Sequence, residues 1–209
     1  RELVFPPPEL AEPDGLLAIG GDLSVERLLL AYQSGIFPWY QGEDILWWSP
    51  EPRFVLLPEN LRISKSMQQL IKKHAFEFTV NKDFEQVIAN CKAIGRKGQD
   101  ATWITKEMKD AYTRLHVLGH AHSAEVWQGG ELVGGLYGVK MGKLFFGESM
   151  FSKISNASKY AFIKYILQLK TEGLVMVDCQ VYTAHLETLG ASMIPRKDFL
   201  FILKQSIPT

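Results

Sequence analysis

Three β-strand patterns in close succession constrain the fold of this chain more than any other feature. They cover residues 121–127, 131–139 and 143–151. Gly129-Gly130 separates the first pattern from the second, and Met141-Gly142 separates the second from the third. Short glycine-containing turns of this kind join neighbouring strands in hairpins. The sequence therefore predicts an antiparallel meander.

Helical and strand patterns flank the meander on both sides. A stripe of apolar residues with helical spacing spans about 156–170, and an apolar strand follows at 174–181. The other patterns predict helices at 64–74, 82–93, 105–118, 183–189 and 196–205, with a strand at 75–80. This order predicts an α+β fold with a mainly antiparallel sheet.

The first sixty residues differ in character, because proline and glycine turn signals recur throughout them. One short helix is predicted at 24–34 with Ser24 as its cap. Strands are predicted at 45–48 and 53–57. Residues 58–60 are interpreted as a linker, so a small irregular N-terminal domain, 1–60, precedes a larger domain, 61–209.

Charge is balanced over the 209 residues, with 23 basic and 23 acidic side chains, which excludes a polycation. The balance conceals a split: residues 1–60 hold three basic and ten acidic side chains, whereas residues 61–97 hold eight and three. A basic flank suits a phosphate backbone and an acidic flank suits a cationic ligand. Ordinary solvated faces would give the same counts, and both interpretations stay open.

The composition also bounds the class of protein. Apolar residues make up 46% of the chain, which is enough for a sizeable core. No apolar run approaches the roughly 18–20 residues of a membrane span. The two cysteines, Cys91 and Cys179, cannot form a disulfide scaffold, and a reducing, cytoplasmic setting is expected.

Polar residues interrupt two of the apolar strands. Asp178 and Gln180 lie two apart in L-V-M-V-D-C-Q-V and are expected to share one face, since side chains alternate along a strand. Glu148 lies in K-L-F-F-G-E-S-M-F beside Gly147, a residue that permits close approach of a ligand. These groups either form a satisfied structural network or converge on a cleft.

Other site types find little support. His120 and His122 would share a strand face, but no Cys or acidic residue completes a known ligand spacing, so no metal is predicted. The chain has no Walker loop, dinucleotide fingerprint or Gly-x-Ser-x-Gly elbow. Tryptophans do cluster in G-I-F-P-W-Y and W-W-S-P, where exposed rings could stack on nucleic-acid bases.

Taken in order, the motifs of the chain resemble those of the bacterial leucyl/phenylalanyl-tRNA–protein transferases. The resemblance covers nearly the whole sequence. Its motifs are E-P-D-G-L-L-A-I-G-G-D-L-S, A-Y-Q-S-G-I-F-P-W-Y, I-L-W-W-S-P-E-P-R, T-W-I-T, L-G-H-A-H-S-A-E-V-W, L-V-G-G-L-Y-G-V, F-G-E-S-M-F-S, N-A-S-K, V-D-C-Q-V and H-L-E-T-L-G-A.

The resemblance implies a cytoplasmic, monomeric enzyme without cofactor. It would move leucine or phenylalanine, and methionine less readily, from aminoacyl-tRNA to proteins that begin with Arg or Lys, creating an N-degron. It also implies that the second domain has a GNAT-like (acyl-CoA N-acyltransferase-like) fold. The pyrophosphate motif of acetyl-CoA enzymes, Q/R-x-x-G-x-G/A, is absent.

Site residues follow from the resemblance motif by motif. Asp178 and Gln180 correspond to a catalytic pair, with Glu148 beside the reacting ester. Trp39, helped by Gly147, would stack on the 3′-terminal adenine, with Trp103 lining the same cleft. The aminoacyl pocket would be walled by Leu136, Phe145, Met150, Phe162 and Tyr165.

Two positions depart from the family pattern, Phe146 and Leu136, and both bear on pocket size. The basic segment is the candidate contact for the RNA backbone, through Arg62, Lys65, Lys72 and Lys73. The side chain of the acceptor's Arg or Lys would meet either the acidic first domain or Glu148.

Three other functions compete with this interpretation. They are a GNAT-type N-acetyltransferase, a Fem-like tRNA-dependent peptidoglycan transferase, and an RNA-binding module without enzymatic activity.

Overall fold

The computed structural model describes residues 3–93 and 104–207. Within these ranges the helices and strands are, in chain order, β1 (Leu16–Ile19), α1 (Val25–Gln33), β2 (Phe37–Pro38), β3 (Leu46–Trp48), β4 (Arg53–Leu56), α2 (Lys65–Lys72), β5 (Glu77–Val80), α3 (Phe84–Ala93), α4 (Lys106–Val117), β6 (Ala121–Gln128), β7 (Glu131–Met141), β8 (Leu144–Ser152), α5 (Ala157–Thr171), β9 (Met176–Gln180), α6 (Ala184–Thr188), β10 (Ser192–Ile194) and α7 (Arg196–Ser206).

All the helices and strands predicted from the sequence are present, each with both ends within two residues of the prediction. Four helices begin where a Ser or Thr side chain accepts a hydrogen bond from the N–H three residues later, which satisfies one free donor of the first turn. These caps are Ser24, Ser64, Thr105 and Thr183. The prediction missed β1, β2 and β10, which have only four, two and three residues.

The strands form two sheets, a small one of order β1-β3-β2 and a larger one of order β10-β4-β9-β8-β7-β6-β5. In the larger sheet β8 and β9 are parallel, and the other neighbours are antiparallel. Helix α5 makes the crossover that a parallel pair requires. The predicted α+β class with a mainly antiparallel sheet is confirmed.

Apolar side chains cover both faces of the larger sheet. On one face, Met176 of β9 packs with residues of α1, α3, α4 and α7. On the other face, Val177 of the same strand packs with residues of α2 and α5. The alternation of β9 thus places neighbouring side chains in two separate cores.

Strand β4 ties the first sixty residues to the larger sheet. It lies within the N-terminal domain predicted for 1–60, yet it pairs with both β9 and β10. Residues Pro58–Asn60, interpreted as a linker, form a single 3₁₀ turn directly after it. The domain boundary at residue 60 stays a prediction.

Candidate active site

A cleft opens where the two parallel strands of the larger sheet part. Their pairing runs over three residue pairs and ends at Phe146↔Asp178. On its other side β8 pairs with β7, where Gly147 and Ser149 are opposite two consecutive residues of β7. Glu148, which lies between them, therefore has no partner residue on β7 and forms a β-bulge. A bulge of this kind redirects a side chain. Glu148 is therefore placed at the point where the strands separate.

The opening is a cavity of about 390 Å³, a volume typical of small-molecule sites. Its apolar wall includes Leu136, Phe145, Met150 and Phe162. Polar side chains gather elsewhere in its lining, and these are Glu148, Ser149, Gln180, Thr183 and His185. The cavity thus suits a ligand with an apolar part and a polar part.

Most of the residues that the resemblance assigns to the aminoacyl pocket and to the 3′-terminal adenine line this cavity. Gly147 lines it together with the four apolar residues just named. Tyr165 lies one layer behind, with its ring centroid 5.1 Å from that of Phe145. Phe146 faces the opposite core, where its ring packs 5.1 Å from Tyr32, so its size does not narrow the cavity. The functional assignment of these residues stays a prediction.

The two tryptophans assigned to the adenine lie apart from this set. Trp39 directly follows β2, the residue is 39% exposed, and its ring packs on that of Trp48 at a centroid distance of 5.7 Å. It is not among the cavity-lining residues. Trp103 lies outside the described residues. The stacking role of both stays a prediction.

Glu148 is partly buried and has polar partners from two directions. The Tyr32 hydroxyl donates to its Oε1 at 2.5 Å, and Gln180 Nε2 donates to the same oxygen at 3.1 Å. The hydroxyls of Tyr32 and Tyr112 are also hydrogen-bonded to each other. Burial raises the pKa of the Glu148 carboxyl to about 7, the Tyr32 hydrogen bond opposes the rise, and the charge of Asp178 adds to it. Near neutral pH this carboxyl can therefore gain or lose a proton.

Asp178 is fully buried behind the cavity wall. Arg53 of β4 holds it through two hydrogen bonds, Nε to Oδ1 at 2.9 Å and Nη2 to Oδ2 at 2.7 Å. The exposed fraction is 1% for the Arg53 side chain and 0% for that of Asp178. Asp178 does not line the cavity, so its predicted part in catalysis stays a prediction and requires action through a neighbour.

The expectation that Asp178 and Gln180 share one face of their strand is wrong. Gln180 lines the cavity together with Val177 and Cys179, the residues expected on the opposite face. The reason is the backbone of Gln180, whose φ of +66° breaks the extended alternation. The Gln180 N–H donates to Asp178 Oδ1 at 2.9 Å and stabilises this turn.

The predicted RNA contacts are exposed, but they do not line the cavity. They are Arg62, Lys65, Lys72 and Lys73. Across the described ranges, no group of three or more His, Cys, Asp or Glu side chains is arranged to hold a metal ion. In the same ranges, no helix is long and apolar enough to cross a bilayer.

Sequence reasoning missed three residues of the site: Tyr32, Tyr112 and Arg53. The helical spacing of residues 24–34 places Tyr32 on an inward apolar face, which indicates core packing and gives no sign of a site. Arg53 offered a signal, because a cation at the start of the apolar strand R-F-V-L needs a partner if it is buried. Tyr112 offered none, since aromatic residues on helices usually pack in cores.

Glu148→Gln is expected to stabilise the folded protein in a pH-dependent way. The carboxyl has a pKa of about 7 when folded against 4.5 ordinarily, so its charge is costly to bury. That cost is absent below about pH 4.5 and complete above about pH 7. Gln removes it, so the variant should gain about 1–3 kcal/mol at pH 8 and much less at pH 5. Urea unfolding at the two pH values measures the difference, and an equal effect at both would contradict the charge argument.

Comparisons with known proteins give a consistent result. A model of the leucyl/phenylalanyl-tRNA protein transferase family matches residues 55–204, and a model of the family's N-terminal domain matches residues 21–51. A leucyl/phenylalanyl-tRNA–protein transferase of Syntrophus aciditrophicus is 55% identical over 208 residues, which are 99% of this chain and 87% of the relative. One from Flavobacterium johnsoniae is 57% identical over 205 residues, covering 98% and 97%.

Solved structures are similar at much lower identity. L-PGS from Bacillus licheniformis has a TM-score of 0.44 and 15% identity over 78% of this chain and 55% of that chain. A GCN5-related N-acetyltransferase-like protein from Streptococcus suis has a TM-score of 0.41 and 12% identity over 77% of this chain and 59% of that chain.

Proposed function

This chain belongs to the leucyl/phenylalanyl-tRNA–protein transferase family, and we propose that it transfers leucine or phenylalanine, and methionine less readily, to proteins that begin with Arg or Lys. It is an aminoacyltransferase that uses aminoacyl-tRNA and acts on proteins. The proposed product carries an N-terminal residue that marks it for degradation. We further propose that the enzyme acts as a monomer in the cytoplasm, where charged tRNA is present.

One observation carries the proposal. The cavity between β8 and β9 combines an apolar wall with a carboxyl whose pKa is about 7. The apolar wall suits the side chain of leucine or phenylalanine. The carboxyl of Glu148 suits a reaction in which an amine loses a proton near neutral pH.

The reaction is aminolysis of an activated ester. The amine nitrogen attacks the acyl carbon, a C–N bond forms, and the C–O bond to the ribose breaks. An N-terminal amine has a pKa of about 7.7–8.0, so an appreciable fraction is already neutral and positioning matters more than a strong base. The ester supplies the driving force, and the proposal requires no ATP, metal or covalent enzyme intermediate.

Two side chains that line the cavity have separate roles in this reaction. Gln180 donates its amide N–H to Glu148, which leaves its carbonyl oxygen to accept a hydrogen bond from the incoming amine. Glu148 accepts the proton that the nitrogen loses on attack and returns it to the departing ribose oxygen. Asp178 acts from behind by holding the backbone of Gln180.

The remaining contacts are proposed from exposure and charge. The exposed ring of Trp39 suits stacking on the terminal adenine. Four exposed basic residues within segment 61–97 suit the phosphates of the acceptor stem, namely Arg62, Lys65, Lys72 and Lys73. With Glu148 engaged at the reacting amine, the acceptor's cationic side chain would meet the acidic N-terminal region.

Met150→Phe is expected to shift the donor preference from phenylalanine towards leucine. Met150 lines the cavity and is partly exposed, so a larger ring there narrows the cavity without overfilling a core. An apolar pocket discriminates between side chains by about 1–3 kcal/mol of binding free energy per methylene. We therefore expect the ratio of kcat/KM for Leu-tRNA to that for Phe-tRNA to rise roughly tenfold. Competition between Leu-tRNA and Phe-tRNA measures this ratio.

Met150→Leu is the matched control, because it approximately conserves volume and should leave the ratio nearly unchanged. Equal losses for both donors in Met150→Phe would mean that this wall does not contact the aminoacyl side chain.

The proposed function is tested by incubating the protein with Phe-tRNA and a peptide that begins with Arg. Mass spectrometry should show one added phenylalanine at the peptide N-terminus. A peptide that begins with Ala, a muropeptide acceptor, and acetyl-CoA in place of Phe-tRNA are the controls and should give no product. Product with acetyl-CoA, or RNA binding without transfer, would contradict the proposal.

A further inference from the structure

The side chain of Arg53 is almost completely buried, and its guanidinium group lies against two aromatic rings. Its guanidinium carbon lies 4.9 Å from the ring centroid of Phe37 and 4.4 Å from that of Phe199. Three of its nitrogens donate hydrogen bonds, two to Asp178 and one to the backbone. Aromatic faces and a two-point carboxylate contact together fix the plane of a guanidinium group.

The third donor of Arg53 reaches the turn that follows α1. Its Nη1 donates to the Gly35 carbonyl oxygen at 3.0 Å, and the Ser49 hydroxyl donates to the same oxygen at 3.2 Å. The Gly35 N–H donates to the carbonyl oxygen of Tyr32 at 3.1 Å. The turn that Arg53 holds is therefore the one that places Tyr32, whose hydroxyl donates to Glu148.

The other two donors act through Asp178 on Gln180. A left-handed backbone is unfavourable for a residue with a side chain. Gln180 has a φ of +66°, and Asp178 Oδ1 accepts its N–H at 2.9 Å. That oxygen also accepts from Arg53 Nε. With its backbone held in this way, Gln180 directs its amide into the cavity, where it donates to Glu148.

Both routes from Arg53 end on one atom, Oε1 of Glu148. We propose that Arg53 is a positioning residue of the transfer reaction, which sets both hydrogen-bond donors to Glu148 at once. It is not a catalytic residue, because it is buried and does not line the cavity. The expected effect of Arg53 on catalysis rests on the proposed function, whereas its positioning of the two donors to Glu148 does not.

Lysine cannot replace arginine in this role. An ammonium group is a compact point charge and cannot make two parallel bonds to a carboxylate while also reaching a carbonyl oxygen in a fixed plane. Arg53→Lys keeps the positive charge and loses the geometry. It is therefore the variant that separates positioning from charge neutralisation.

The first readout is the pKa of Glu148, measured by carbon-13 NMR on glutamate-labelled protein without substrate. Because donors to a carboxylate lower its pKa, Arg53→Lys should raise it as Tyr32 and Gln180 shift. Arg27→Lys is the control, since the salt bridge of Arg27 among the described residues is to the exposed Asp22. An unchanged pKa of Glu148 in folded Arg53→Lys would overturn the positioning, whether or not the wild type transfers amino acids.

The second readout is steady-state transfer from Phe-tRNA. Arg53→Lys should lower kcat by about 10²-fold and change the donor KM little, because misplaced reacting groups slow the chemical step. The pH–rate profile should shift to higher pH with the pKa of Glu148. A loss confined to KM, or wild-type kcat, would overturn the proposal. A wild type that transfers nothing would instead refute the proposed function.

If Arg53→Lys fails to fold, the double variant Arg53→Met/Asp178→Leu replaces it. This variant leaves no unpaired buried charge, but it removes the acceptor that holds the Gln180 N–H. Because removing the Asp178 charge itself lowers the pKa of Glu148, the readouts for this variant are its crystal structure and kcat. The Gln180 amide and the Tyr32 hydroxyl should be displaced from Glu148 Oε1, and kcat should fall. Unchanged positions of both donors would overturn the proposal.

Discussion

Glu148→Gln is expected to lower the rate of aminoacyl transfer by about 10²–10⁴-fold, the usual contribution of a positioned proton acceptor. The amide has nearly the same size, and it can still accept the hydrogen bond from Tyr32, but it cannot take a proton. The donor KM should change little, because the apolar wall of the cavity is unaltered. Single-turnover transfer from Phe-tRNA to a peptide that begins with Arg measures the effect.

Glu172→Gln is the matched control. Glu172 pairs with Lys140 at the surface and does not line the cavity, so its variant should react at the wild-type rate. If Glu148→Gln stayed within about threefold of the wild type, the proton would have to leave the amine by another route. A loss confined to the donor KM would make Glu148 a binding group only.

Arg53→Met is expected to destabilise the folded protein by about 3–5 kcal/mol, because it leaves Asp178 charged and buried without its partner. This is a large share of the roughly 5–15 kcal/mol that stabilises a typical domain. Urea unfolding at pH 7.5 measures the difference.

The double variant Arg53→Met/Asp178→Leu should recover most of that loss. Well-packed apolar residues often replace a buried ion pair at little cost. A single variant within about 1 kcal/mol of the wild type would show that Asp178 finds another partner or takes up a proton. The two variants thus separate the cost of an unpaired buried charge from the net contribution of the ion pair to stability.

The sequence was sufficient to predict the local elements and part of the site. Hydrophobic periodicity and helix caps such as Ser24 depend on only a few neighbouring residues. The helices and the meander could therefore be located from the amino-acid sequence alone. Glu148 and Gln180 were singled out because polar groups interrupt apolar strands. The structure places them 3.1 Å apart at one cavity.

The remaining parts of the site depend on long-range contacts that no local pattern encodes. Arg53 and Asp178 are 125 positions apart, and they meet only because β4 lies between β9 and β10. Tyr32 and Glu148 are 116 positions apart. The turn of Gln180 into the cavity depends on its contact with Asp178, which strand alternation cannot anticipate.

A crystal structure with phenylalanyl-adenosine, in which an amide replaces the reactive ester, tests the proposed site most directly. We expect the phenyl ring against Phe145 and Met150, and the acyl carbon beside Glu148 and Gln180. Binding of the aminoacyl group elsewhere, for example in the separate cleft lined by Tyr40 and Arg114, would contradict the proposed mechanism.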